Sequence, residues 1–444
     1  MKKIFGVIIA LFFLFGFQPV SGQTLQNYEV FPSEGNFVVR GVVDLKNHFQ
    51  SADASVAIQW SVNHLTSGGQ VFLHKGNYQL KKEISLPSYV TLKGSEMGSV
   101  LVVDPAHETG NTFNIIGSNR VVLKDFLIKS VKEDNQSKNG IVLSNCGDCV
   151  VDGVYIVGMK ENGVYLNDDT FLCEVKNCRI AACAESAIKL HNLAGGGRGG
   201  DFVPNHVSNC IIFQGGYGVF CSNAIVANIS GVTVYQSQRN AFYLNQTSNS
   251  VLITGCRSYQ CQDDAVVIEN SHEINISSNI FCWTEGNGIV LNGVKWGTVS
   301  ANNVIDCGSI NPFERDKDSL IVRGPREFRR MPRTPQDRES VKSGIVIQNE
   351  TKGVTVTGNA LFNWPAAPKM KYGIVEDATC VNNIISSNNV NTYEKAEVFS
   401  EGKDTKVLGN VGYGEVPYTG KIGITELQYF DLRLMENFID EIWN

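Results

Sequence analysis

The chain has 444 residues, of which 38 are lysine or arginine and 44 are aspartate or glutamate, and its formal charge at pH 7 is −6. This acidic balance argues against a general nucleic-acid-binding protein and favours neutral partners, or anions that meet a local basic patch. The length would suit two or three separate domains, unless internal repeats join it into one array.

The first 22 residues are predicted to form a secretory signal peptide. Lys2 and Lys3 precede an apolar run, and small residues end that run near Gly22, as in a cleavable signal. The run is too short for a membrane span, and no cysteine near the cleavage site can carry a lipid. The mature protein is therefore expected to be secreted or periplasmic, with no membrane-spanning segment.

A short amphipathic helix is predicted from about Ala52 to His64, before the strands of a repeat array. From residue 140 onward, ten segments start with a small residue and continue as an alternating apolar strand, as in GIVLSN, GVYLND and AVVIEN. Most of these segments start 23 or 24 residues apart. The pattern is typical of a β-solenoid with one coil per repeat, so residues 23–425 are predicted to form one all-β domain.

Equivalent positions in successive coils carry like residues. One column is predicted to be a ladder of hydrogen-bonded amides, formed by Asn279, Asn302, Asn359 and Asn388. Another column holds Cys183, Cys261 and Cys307. Among the twelve cysteines only Cys146 and Cys149 have the C-x-x-C spacing, which favours buried thiols over a zinc site and leaves disulfide pairing open.

Residues 426–444 are predicted to form a C-terminal helix that covers the open end of the solenoid or contacts a partner subunit. The first helix, the segment GGQVFLHKGNY and the coils resemble the pectate-lyase-like superfamily. This resemblance implies a right-handed parallel β-helix, with the first helix as its N-terminal cap.

The first strand of each coil is predicted to present a flat outer face. The residue directly after the small one points inward, and alternate residues point outward. The outward positions combine aromatic rings with hydrogen-bonding groups: Tyr165, Lys189, His191, Phe220, Tyr243 and Glu269. Three insertions, residues 193–205, 309–343 and 363–372, are expected to wall a groove beside this face.

The segment CQDDAVVIEN places two adjacent carboxylates at the upstream edge of that face. Asp264 falls in a column between Asn240 and Asn287, and Arg239 lies one coil before Asp263. The arginine is expected to keep Asp263 ionised, while Asp264 shifts toward protonation. The two residues would then act as base and acid, with Glu269 as a further catalytic candidate, and the alternative interpretation is a polar turn before a strand.

The substrate is expected to contact six side chains around this pair, namely Tyr165, Lys189, His191, Arg239, Tyr243 and Asn287. The acid pair resembles that of glycoside hydrolase family 28, the polygalacturonase group, whose inverting mechanism uses two carboxylates. The GNG motif at 286–288 stands where that family has GHG. The resemblance covers the pair alone, because other family positions are occupied differently, by Asn240, Asn287, Val346 and Gln348.

The predicted function is cleavage of a polysaccharide or oligosaccharide, by hydrolysis at a carboxylate pair and without a cofactor. A lyase acting on a uronate glycan is an alternative, with Lys189, His191 and Arg198 as candidate residues and calcium as the ion that would neutralise the substrate carboxylate. The chain also resembles β-helix fructotransferases in length and coil layout. A non-catalytic glycan-binding rod is the remaining alternative.

The segment 323–338 carries six arginines in an otherwise acidic protein. Guanidinium groups suit carboxylate or sulfate, so the segment predicts an anionic glycan. Alternatively the arginines pair with acidic residues of the same insertion or bridge subunits. A homo-oligomer formed through the 309–343 insertion or through the C-terminal helix is therefore a further expectation.

Overall fold

The computed structural model of the protein describes residues 26–104, 107, 110–130, 137–193, 204–246, 248–308, 342–363, 370–391 and 393–413. Within them the chain winds through successive coils, and strands of neighbouring coils pair in parallel along three sides. The small residue, apolar strand and turn of each repeat supply one side of each coil. The protein is a right-handed parallel β-helix, which confirms both the solenoid predicted from the repeat and the fold implied by the resemblance.

The first side, which we call the site sheet, contains the strands Phe113–Ile116, Ile141–Ser144, Asn162–Asn167, Phe242–Asn245, Val266–Glu269, Ile289–Asn292, Ile345–Gln348, Met370–Glu376 and Tyr393–Ser400. Two long strands, Arg179–Leu193 and Ile211–Ser230, turn corners and contribute to more than one side.

The second side contains Gly69–Leu73, Val90–Lys93, Val122–Lys124, Val150–Asp152, Glu174–Lys176, Asn205–Ser208, Asn249–Thr254, His272–Ser277, Lys295–Ser300, Lys352–Thr357, Ile384–Ser386 and Lys406–Leu408. The third side contains Gly76–Leu80, Ser99–Val103, Leu127–Ser130, Tyr155–Val157, Thr233–Tyr235, Arg257–Tyr259, Ile280–Thr284, Asn303–Cys307, Ala360–Phe362, Asn389–Asn391 and Val411–Tyr413.

The N-terminal end is closed by the helix Ala54–Asn63, as the sequence predicts. The Asp53 carboxylate accepts a hydrogen bond from the Ser55 backbone N–H at 2.8 Å and so caps the helix. Its apolar side is buried beside the antiparallel strands Gln26–Ser33, Asn36–Gly41 and Asn47–Ser51. A single 3₁₀ turn covers Glu96–Gly98. The predicted C-terminal helix, residues 426–444, and the predicted signal peptide lie outside the described residues.

The predicted asparagine ladder is confirmed. Each amide nitrogen donates to the side-chain oxygen of the next coil at 2.9 Å, in the order Asn279, Asn302, Asn359, Asn388 and Asn410. Each also bonds a backbone carbonyl of the preceding coil. The ladder therefore satisfies buried polar groups at a corner of the coils.

All twelve cysteines are buried free thiols, so the structure contains no disulfide among them. Burial in apolar surroundings raises the pKa of Cys221 and Cys256 to about 12 each. These thiols thus pack as small apolar side chains. Over the part of the chain that the structure describes, no helix is long and apolar enough to cross a membrane.

Candidate functional site

The register of the site sheet fixes which side chains share its outer face. Tyr165 pairs with Lys189, Lys189 with Phe220, and Phe220 with Tyr243. Their strand neighbours on the other face, such as Leu166, are fully buried in the core. The predicted alternation of inward and outward residues is therefore confirmed in these coils.

Three aromatic rings form the apolar centre of the face. The Tyr243 ring stacks on Tyr217 at 5.1 Å between centroids and on Phe220 at 5.3 Å. Tyr217 and Phe220 lie 5.1 Å apart. All three are partly exposed, so the cluster offers ring surface to a ligand. Sequence reasoning missed Tyr217, because it precedes the small residue of its coil, where other coils have polar residues.

Lys189 extends this cluster with a partly buried cation. Its Nζ lies 5.4 Å from the centroid of Tyr165 and 5.3 Å from that of Phe220, in a cation–π arrangement. The same nitrogen donates to Glu185 Oε1 at 2.6 Å, and only 17% of the lysine side chain is exposed. Glu185 was not predicted as a site residue, although its spacing of four from Lys189 on one strand was visible.

Tyr165 and His191 lie at the N-terminal end of the face, with ring centroids 6.5 Å apart. The Tyr165 hydroxyl donates to Asn167 Oδ1 at 3.0 Å. Burial, followed by nearby carboxylates, raises the pKa of Tyr165 to about 12. The hydroxyl is therefore protonated at neutral pH.

Tyr243 and Glu269 form a hydrogen-bonded pair at the downstream edge. The Tyr243 hydroxyl donates to Glu269 Oε2 at 2.6 Å, and Asn245 Nδ2 donates to that hydroxyl at 3.3 Å. Burial raises the pKa of Tyr243 to about 12, and the bond to Glu269 adds to the shift. Glu269 thus orients the tyrosine ring on the face.

Asp264 lies at the upstream edge, in a column of polar side chains that Tyr217 interrupts after Ser186 and that we call the site ladder: Asn139, Asn162, Ser186, Asn240, Asp264 and Asn287. Asp264 Oδ1 accepts hydrogen bonds from the Asn287 backbone N–H and, at 2.9 Å, from Asn287 Nδ2. Asn139 Oδ1 accepts the same two groups of Asn162, at 3.2 and 2.8 Å. Asp264 therefore occupies an asparagine position in the ladder, with one carboxylate oxygen engaged.

Burial raises the pKa of Asp264, against the lowering effect of the Asn287 hydrogen bonds, and the neighbouring Asp263 charge raises it further. Gly286 leaves the space for this carboxylate, since a Cβ there would lie 2.3 Å from Asp264 Oδ1. The expected shift of Asp264 toward protonation thus has burial as its main cause.

Asp263 is exposed, and its Oδ1 accepts the Asp264 backbone N–H at 3.0 Å. The expected contact with Arg239 is wrong. The Arg239 guanidinium lies 5.0 Å from the centroid of Tyr217 instead, and no ion pair joins it to Asp263 in the described coils. The exposed arginine gains more from the ring than from a solvated carboxylate.

Asp264 and Glu269 cannot form the close carboxylate pair of a glycosidase. They lie five residues apart, with Asp264 before the strand Val266–Glu269, and a fully extended chain would place their α-carbons about 16 Å apart at 3.3 Å per residue. An inverting pair requires about 6.5–9.5 Å between carboxyl groups. Asp263 is thus the acid adjacent to Asp264, and a catalytic role for Glu269 stays a prediction.

The predicted walls of the groove lie largely outside the described residues. These include the arginines of 323–338, Arg198 and most of the 363–372 segment. Within the described coils, no three histidine, cysteine, aspartate or glutamate side chains converge in a way that could hold a metal ion.

Residues 198–411 match the protein family described as the right-handed beta helix region. No curated protein matches the chain. Among solved structures, the chain is similar to the A-module of the Azotobacter vinelandii mannuronan C-5 epimerase AlgE6, with a TM-score of 0.66 and 13% identity, covering 82% of this chain and 96% of that module.

Two phage tailspikes are also similar in structure. For tailspike protein 3 of bacteriophage CBA120 the TM-score is 0.57 at 14% identity, and the match covers 86% of this chain but only 64% of the tailspike. For a variant tailspike of E. coli bacteriophage HK620, in complex with a pentasaccharide, the TM-score is 0.52 at 12% identity, with 82% and 75% covered. The comparisons thus agree with the coils on one conclusion, the right-handed parallel β-helix fold.

Proposed function

We propose that the protein binds a glycan chain on the outer face of the site sheet and hydrolyses a glycosidic bond at Asp263 and Asp264. The observation that carries the proposal is a carboxylate with a raised pKa in a ladder of otherwise uncharged polar side chains, beside an exposed carboxylate and a cluster of partly exposed rings. A partly buried acid with a raised pKa next to an exposed one fits the division of roles in glycoside hydrolysis.

In this mechanism Asp264 is the proton donor. Its raised pKa keeps a larger protonated fraction near neutral pH than an ordinary aspartate has. Oδ1 is engaged by Asn287, so the proton leaves from Oδ2 to the glycosidic oxygen as the bond to the sugar breaks. Asp263, exposed beside Asp264, either takes a proton from the attacking water or attacks the sugar itself.

The rest of the face would bind the sugar chain. Aromatic rings cover the apolar faces of pyranoses, and Tyr217, Phe220 and Tyr243 form such a surface. Lys189, His191 and Tyr165 would contact sugar hydroxyl or carboxylate groups on the earlier coils. The similar solved structures include an epimerase of mannuronan and a tailspike in complex with a pentasaccharide, which supports a glycan ligand by fold-level analogy alone.

The test is product release from polygalacturonate, alginate, xylan, laminarin and inulin. Hydrolysis of at least one of them is expected, with new reducing ends and no ultraviolet absorbance from an unsaturated product. If none of the five is cut or bound, the proposed function is wrong. If cleavage produces unsaturated ends, the protein is a lyase.

Lyase chemistry is the second candidate, because Lys189 is held between two rings with its ammonium group directed at the face. A cation there would neutralise a uronate carboxylate while a neighbouring group removes the adjacent proton. Lys189 is already paired with Glu185 at 2.6 Å, and Tyr165 has a pKa near 12. Both facts make this base chemistry less favourable than acid-assisted hydrolysis.

A further inference from the structure

A second row of ligand-type side chains lies at the corner between the third side and the site sheet. One residue per coil there adopts the left-handed backbone conformation, with φ between 54° and 59°: Gln214, Gln236, Gln260, Trp283 and Asp306. Non-glycine residues rarely adopt this conformation, and here it recurs at one equivalent corner position of successive coils. The first four side chains are partly exposed, and Asp306 is fully buried. We call this set the corner row.

The three glutamines of the corner row form a ladder with a free end. Gln214 Nε2 donates to Gln236 Oε1 at 3.3 Å, and Gln236 Nε2 donates to Gln260 Oε1 at 2.9 Å. The amide nitrogen of Gln260 has no acceptor in the described coils, and the glutamines are partly exposed. The ladder therefore presents two N–H donors at its Trp283 end.

Trp283, in the next coil, is held by two contacts that leave part of its ring exposed. Its indole N–H donates to Asp306 Oδ2 at 3.0 Å, and its ring packs against Tyr259 at 5.9 Å between centroids, tilted by 51°. The side chain is partly exposed. A rigid ring beside amide donors is the combination that binds a sugar, with the ring on its apolar face and the donors on its hydroxyls.

The corner row continues into the proposed cleavage site. Gln260 precedes Asp263 by three residues, a reach of about 10 Å along the chain. We propose that Trp283 and Gln260 form a sugar-binding subsite, which binds a unit close to the scissile bond of a glycan cleaved at Asp263 and Asp264. This inference rests on the proposed function for the identity of the ligand, and it adds a binding role for residues outside the site sheet.

The chain supplies a matched control for the test. Trp296 also has a φ of 55°, but it is 58% exposed and lies on the second side, away from the site sheet. Trp283→Ala and Trp296→Ala remove the same side chain from the same backbone conformation. Gln260→Ala is a second test variant that leaves the indole and its bond to Asp306 in place.

Migration of each variant through gels containing polygalacturonate, alginate, xylan, laminarin or inulin measures binding without requiring turnover. Wild type and Trp296→Ala should be retarded equally by at least one polysaccharide, while Trp283→Ala should bind it about tenfold more weakly, the scale of one lost aromatic contact. Gln260→Ala should weaken binding in the same direction.

The outcomes separate this inference from the proposed function. Full binding by folded Trp283→Ala, or by Gln260→Ala if the tryptophan variant does not fold, would overturn the subsite and leave the cleavage site intact. A wild-type protein that binds a polysaccharide through Trp283 but releases no product would support the subsite and contradict hydrolysis. A wild-type protein retarded by none of the five would contradict both.

Discussion

In both the asparagine ladder and the site ladder, a side-chain amide donates a hydrogen bond to a side-chain oxygen of a neighbouring coil, but the two ladders differ in function. In the asparagine ladder, every member from Asn279 to Asn410 is an amide, and each donates to the next at 2.9 Å. In the site ladder the acceptor geometry is retained, but Asp264 replaces the amide with a carboxyl group. The difference shows that a solenoid can place an ionisable group at a fixed position without a change in its backbone. Asn287 needs only an acceptor oxygen at position 264, and a carboxyl group supplies that oxygen as well as an amide does.

The largest expected effect comes from restoring the amide in the site ladder. Asp264→Asn keeps the acceptor oxygen for Asn287 and removes the transferable proton, so turnover should fall by about 10²-fold or more. The circular dichroism spectrum should match that of the wild type, and the variant should melt no lower than the wild type. Turnover within a few-fold of wild type in the folded variant would show that Asp264 is only a ladder residue.

The converse change should destabilise the asparagine ladder. Asn302 is fully buried, and its amide nitrogen donates to Asn359 Oδ1 and to the Ile276 carbonyl, both at 2.9 Å. A carboxylate in Asn302→Asp would place an acceptor against two acceptors, at a cost of about 3 kcal/mol or more at neutral pH. Denaturant unfolding measures this cost. A loss below about 1 kcal/mol would mean that the ladder contributes little.

Removal of one aromatic ring tests whether the outer face of the site sheet binds the sugar chain. Tyr243→Ala deletes a ring stacked on both Tyr217 and Phe220, so KM for a cleaved oligosaccharide should rise about tenfold. Tyr243→Phe keeps the ring and removes the hydroxyl with its bonds to Glu269 and Asn245, so its KM should rise less. A large fall in melting temperature with unchanged KM would assign the ring to packing.

The smallest expected effect is on stability as a function of pH. A carboxyl group whose pKa is raised in the folded state binds more protons there than in the unfolded chain. Its contribution to the free energy of unfolding therefore decreases as pH rises from the pKa in the unfolded chain, about 3.9, through the pKa in the folded protein. Asp264→Asn removes this loss. The variant should be slightly more stable than wild type at pH 7, and the difference should vanish near pH 4. A difference independent of pH would contradict the raised pKa.

The sequence predicts the coils better than the site, for a physical reason. The small residue, the alternating strand and the recurring asparagine report local constraints that repeat in every coil, so the helix at 54–63, the outward position of Tyr243 and the ladder from Asn279 to Asn388 could all be predicted.

Contacts between side chains of different coils depend instead on the conformations that the longer side chains adopt. In the sequence, Arg239 lies one coil away from both Asp263 and Tyr217, so contact with either is compatible with the repeat. The structure shows the contact with the Tyr217 ring. Glu185, which pairs with Lys189, and Trp283 at the corner belong to no repeated column of their own residue type. Such contacts cannot be predicted from the repeat, because it fixes the position of each backbone atom but not which neighbour a long side chain contacts.

The most direct test of the central claim, that Asp264 gives the proton, is the pH dependence of kcat/KM on whichever polysaccharide is cut. A proton donor must be protonated in the free enzyme, so the wild-type rate should fall on the alkaline side with a pKa above that of an ordinary aspartate. The residual rate of Asp264→Asn should lack this alkaline limb. An alkaline limb that persists unchanged in Asp264→Asn would contradict the account, since another group would then supply the proton.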